Sequence, residues 1–115
     1  MLAIPNRFSI GGRAIEVTFN ENLSRDHEAV GLTHFKNGTI ELQPSVEWYE
    51  QADDHIQHTF CHELVHCLLF AISENELARD EKLVDRLGMV LHQALSTFEY
   101  DEIEEDDEEC DHGCA

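Results

Sequence analysis

The sequence predicts an α+β domain, with a small sheet of hairpins followed by two long helices. Three observations carry this. Residues 7–19 and 31–44 alternate apolar and polar side chains around glycine turns, the two-residue period of strands. Residues from about 52 to 98 change to a helical period and contain no proline. Strands come first and helices after, an order that segregates the two into separate layers.

Each element has its own signal. RFSI-GG-RAIEVTF reads as two strands around Gly11-Gly12, with Ile15, Val17 and Phe19 on one face and Glu16 and Thr18 on the other. Asn20 to Gly31 is polar, a loop with room for one helical turn. GLTHF-KNG-TIELQP predicts a second hairpin, since Asn37-Gly38 is a turn dipeptide and Ile40 and Leu42 alternate with Thr39 and Glu41. Pro44 ends that strand, and Ser45 is placed to cap a short helical turn through Trp48 and Tyr49. The first long helix runs from about Ala52 to Phe70 or Ala71. Ser73 with Glu76 three residues on matches a capping box for the second, which continues to about Phe98.

Charge divides the chain. The net charge is −18, and residues 99–111 hold ten acids and no Lys or Arg. Residues 1–98 are therefore expected to be one folded domain and 99–115 an acidic, disordered tail with the potential to engage a protein partner. No basic face exists to attract nucleic acid, and no apolar run approaches a membrane span. With no leader-like N-terminus and no disulfide-like cysteine pattern, a cytoplasmic location is expected. Cys61 and Cys67 read as small apolar core residues.

The stretch TFCHELVHCLLF, residues 59–70, places His62, Glu63 and His66 in an otherwise apolar run. Burying such groups uncompensated costs roughly 2–7 kcal/mol each. On a helix, residues four apart share a face, so His62 and His66 can point two imidazoles at one metal ion. Glu63, one residue round, can reach a water on that ion and act as general base. Zinc suits two imidazoles and a carboxylate with a position left for water. For the third ligand the next helix offers DEKLVDRLG, where Glu81 and Asp85 share a face; Glu74, Glu76 and Asp80 compete.

HELVH followed by DEKLVDRLG resembles the gluzincin metallopeptidases, the thermolysin-like group, and in its brevity the minigluzincins. The likeness spans residues 31–95. It implies a zincin-like fold, one zinc ion per chain held by His62, His66 and Glu81, Glu63 as the catalytic base, and Asp85 holding the ring N–H of His62. It also implies hydrolysis of a protein or peptide substrate that pairs with the edge strand, within Gly31–Phe35 or Thr39–Leu42. His34 and Tyr49 are candidates to stabilise an oxyanion. The alternative function is a zinc-stabilised scaffold that binds a partner without cutting it.

Three features stay outside that site. His55 and His58 continue the histidine stripe toward the start of the helix, where they read as solvated. His92 lies eleven residues beyond Glu81, about 16 Å along the axis and out of reach of the metal. Cys110, His112 and Cys114 form a compact CDHGC set in the tail.

Overall fold

A computed structural model describes residues 3–23, 30–46, 49–50 and 53–101 of the protein, with the side chains of residues 45–46 and 49–50 left aside. Strands β1 (Arg7–Ile10) and β2 (Arg13–Phe19) form the first hairpin, antiparallel, with Ile10 opposite Arg13. Gly11 and Gly12 turn it with φ of 58° and 77°, the paired positive angles of a tight turn whose twist matches the strands. Strands β3 (Gly31–His34) and β4 (Thr39–Leu42) form the second hairpin. Its connection is a 3-10 turn, Phe35–Asn37, closed by Gly38 at φ 74°.

The two hairpins join through β2 and β4, which run parallel, with Val17 opposite Ile40. The sheet order is β1-β2-β4-β3, which puts β3 at an edge. Helix α1 (Asp53–Ala71) lies on one face of this sheet. Ile15, Val17, Ile40 and Leu42 meet Phe60, Cys61 and Cys67 there to form the core, and Phe8 packs edge-on against Phe60 at 6.2 Å between centroids. Both cysteines are free and fully buried, packed as small apolar residues. Phe19, expected on the buried face, is 54% exposed, although Leu42, its partner across the sheet, is buried in the core.

Residues 45–46 and 49–50 correct a second expectation. Instead of a helical turn, β5 (Ser45–Val46) pairs antiparallel with β6 (Tyr49–Glu50), in keeping with the extended preference of β-branched Val46 and aromatic Tyr49.

The second helix is also not continuous from Ser73. Ser73 takes φ 65° and ends α1 rather than starting its successor. Its N–H bonds to the Phe70 carbonyl at 3.0 Å and the Glu74 N–H to the Leu69 carbonyl at 2.9 Å. This is the paired closure of a Schellman motif with serine where glycine is usual. A single turn, α2 (Asn75–Ala78), follows, and then α3 (Glu81–Ser96). Asp80 opens α3 by accepting the Leu83 N–H at 3.2 Å through its side chain, the capping role that the Ser73–Glu76 spacing predicts for Ser73. Among the described residues, no helix is long and apolar enough to cross a membrane. The predicted disorder of the tail beyond residue 101 lies outside the described residues.

Candidate metal centre

Helices α1 and α3 meet closely where His62 and Gly88 face each other. A β-carbon on Gly88 would lie 2.8 Å from the His62 Cα and 3.0 Å from its nitrogen. Only glycine permits this approach, and it sets the N-terminus of α3 beside the HELVH turn of α1. Glu81, the first residue of α3, is thereby delivered to both histidines.

The geometry is that of a three-donor cluster. Glu81 Oε1 lies 3.2 Å from His62 Nε2, and Oε2 lies 3.3 Å from His66 Nε2. One donor atom from each of the three residues falls within 4.8 Å of the others, so His62, His66 and Glu81 could hold a metal ion. A tetrahedral ion bound at about 2.0–2.1 Å to each donor spaces its ligands by about 3.3 Å, and each imidazole stands at about that distance from one of the two Glu81 oxygens.

The other ring nitrogens have partners. His66 Nδ1 lies 2.7 Å from the Ala78 carbonyl oxygen. A carbonyl only accepts, so Nδ1 carries the proton and Nε2 keeps its lone pair for an ion. That carbonyl points at His66 because the chain breaks helix between α2 and α3. No residue pattern announces it, and sequence reading missed it. His62 Nδ1 lies 3.4 Å from Asp85 Oδ1. Of the competing carboxylates, Asp80 is the cap of α3, and neither Glu74 nor Glu76 joins the cluster.

Glu63 is 6% exposed. The Thr33 hydroxyl donates to its Oε1 at 2.5 Å and also lies 3.3 Å from its backbone carbonyl. Burial pushes this carboxyl above its ordinary range. The Thr33 bond and charge on His66 and His62 pull it back, while Glu81 adds to the rise. A carboxyl raised in this way is a stronger base than one free in water. Thr33 is the second residue that sequence reading missed, since nothing short of the register of β3 over α1 reveals it. Gly31 makes that register possible: a β-carbon there would lie 2.5 Å from Thr59 Cγ2 and 3.0 Å from Glu63 Oε2.

A cleft of about 640 Å³ opens over this group. The edge strand, from Val30 to Thr33, forms one wall; Phe70, Ala78 and Arg79 form another; and His55 and His58 close one end. His34 does not face it. It lies on the opposite side of β3 from Thr33, with Nε2 2.9 Å from Glu41 Oε2, because strand residues alternate faces. The side chain of Tyr49 lies outside the described residues, as does the CDHGC set. His92 stays apart from the cluster, as its distance along α3 requires.

Compared with protein-family models, curated proteins and solved structures, the chain gives no match.

Proposed function

We propose that this protein is a zinc-dependent metallopeptidase of the small gluzincin type. The observation that carries the reading is the convergence of His62 Nε2, His66 Nε2 and the Glu81 carboxylate beside a buried acid, Glu63, below an edge strand that pairs on one side only among the described residues. His62, His66 and Glu81 hold the ion. When bound, zinc supplies Lewis acidity toward a water and toward the scissile carbonyl.

The chain's own groups do the rest. Glu63 lines the cleft, and its carboxylate takes a proton from the attacking water and then delivers it to the leaving amine. The Thr33 hydroxyl fixes the rotamer of Glu63 and so directs the proton transfer. The free edge of β3 offers backbone N–H and C=O groups to an extended peptide, which would lie as a further strand across the cleft. Asp85 and the Ala78 carbonyl orient the two imidazoles, as partners of metal-bound histidines commonly do.

The test is metal content by plasma mass spectrometry together with cleavage of a peptide library. About one zinc per chain is expected, lost in His66→Ala and Glu81→Ala. Glu63→Gln is expected to keep the zinc and lose hydrolysis; full activity in that variant would sink the mechanism.

A second reading is favoured by His34, which turns away from the cleft and so supplies no donor to an oxyanion. In that reading the zinc stabilises a scaffold, and the edge strand binds a partner without cutting it. Zinc bound with no cleavage of any library member selects it.

A further inference from the structure

A second group of imidazoles lies one helical turn away, in the groove between α1 and α3. His58 and His92 face each other with ring centroids 6.0 Å apart, compared with 5.2 Å for the His62–His66 pair. Two imidazoles bound to one ion at about 2.0–2.1 Å bring their ring centres to about 5–6 Å, so the spacing suits a shared ligand.

The hydrogen bonding leaves both rings with a lone pair to give. His92 Nε2 lies 3.3 Å from Gln57 Oε1, and Gln57 is 5% exposed. An amide oxygen only accepts, so His92 Nε2 carries the proton and Nδ1 is the free nitrogen. On the other ring, His58 Nε2 is buried with no hydrogen-bond partner. Ser96 Oγ, one turn beyond His92, is buried and unpartnered as well. His58 and Ser96 both line one cavity of about 660 Å³. An orphaned buried polar atom costs roughly 1–3 kcal/mol, and two at one cavity mark a place where something polar or charged belongs.

From this we propose that His58 and His92 form a second transition-metal site, separate from the helix-junction centre. Asp54 and His55 line the mouth of the same cavity on the first turns of α1; among the described residues their donor atoms do not gather with the two imidazoles into a three-donor group, so His58 and His92 are the protein ligands and solvent takes the remaining positions. Imidazole suits copper(II), nickel(II) or zinc, and copper(II) binds such donors most tightly. His58 borders the peptide cleft as well as this cavity. An ion held there would bring positive charge to the end of the cleft. The inference does not depend on peptide hydrolysis.

The test uses the full chain with its tail donors removed (Cys110→Ser, His112→Gln, Cys114→Ser) and zinc added to fill the first centre. Copper(II) is then titrated in well below stoichiometric amount, and paramagnetic broadening of histidine ring signals is followed by NMR. The rings of His58 and His92 are expected to broaden first. Earliest broadening at any other histidine, or none at all, would overturn the proposal. Equilibrium dialysis of copper(II) with the same chain carrying His58→Gln or His92→Gln gives an independent reading. Each change should weaken binding about tenfold or more with the far-UV circular dichroism unchanged, and unaltered affinity in both would equally overturn it.

Discussion

The α-carbon of Gly88 rests against the backbone of His62, close enough that a methyl group would be 2.8 Å from the His62 Cα. The two helices that carry the candidate metal ligands therefore touch main chain to main chain at one of them. Gly88→Ala forces them apart. Overpacking of this kind costs about 1–3 kcal/mol, more than the roughly 1 kcal/mol gained in helix propensity. Thermal unfolding should show net destabilisation, and zinc affinity should fall with it because Glu81 moves with α3. Val90→Ala, at an exposed position on the same helix, should leave the affinity unchanged.

Chelation should separate metal binding from the rest of the fold. An ion that binds only the folded chain adds about 2.7 kcal/mol at one hundred times its dissociation constant. Removing zinc with a chelator is expected to lower the melting temperature by several degrees, and Glu81→Ala to abolish that shift. Asp85→Ala should reduce zinc affinity by about 10–100-fold while one zinc per chain still binds at saturation. An unchanged affinity would remove Asp85 from the site.

Thr33→Val keeps shape and deletes the hydroxyl bonded to Glu63. A buried acceptor left without its donor costs about 1–3 kcal/mol. Zinc content should be retained and turnover should drop by tenfold or more, with Thr33→Ser recovering most of it. Equal turnover in the valine variant would mean that Glu63 needs no such guide.

Burial raises the Cys61 thiol to about 11 and the Cys67 thiol to about 12, against about 8.5 in an unfolded chain. The folded state therefore holds these protons longer. Stability from the neutral thiols is intact below about pH 8.5 and is lost as pH rises toward 11–12. The chemical denaturation midpoint should fall over that range, and more steeply than in the Cys61→Ala, Cys67→Ala double variant. Parallel slopes would show that the thiols ionise as easily folded as unfolded.

Ser73 holds a left-handed backbone at the end of α1, where a β-carbon is a burden. Ser73→Gly is expected to stabilise the fold by about 0.5–1 kcal/mol, read from the denaturation midpoint at unchanged slope.

Periodicity made much of this legible. The hairpin at Gly11-Gly12, the alternation in β4 and the span of α1 are local patterns, and HELVH fixes two donors by helix geometry alone. What escaped is non-local or written in the main chain. The parallel pairing of β2 with β4 depends on a crossover that no short window contains. Ser73 and Glu76 satisfied a capping pattern, yet the chain spent Ser73 on closing the previous helix and gave the cap to Asp80. Thr33 and the Ala78 carbonyl are defined only by which element lies over which. The pairing of His58 with His92 needed the crossing of α1 and α3.

Glu81 meets His62 across a sequence separation of 19 residues, whereas Thr33 reaches Glu63 across 30. An ion at the helix junction thus acts as a clasp on one short helical corner, whose closure entropy is small. That corner can form and load early in folding, as local contacts close fastest. The sheet edge, with its longer loop to close, would arrive later to immobilise the glutamate, so on the proposed reading the ion would be seated before the base is fixed.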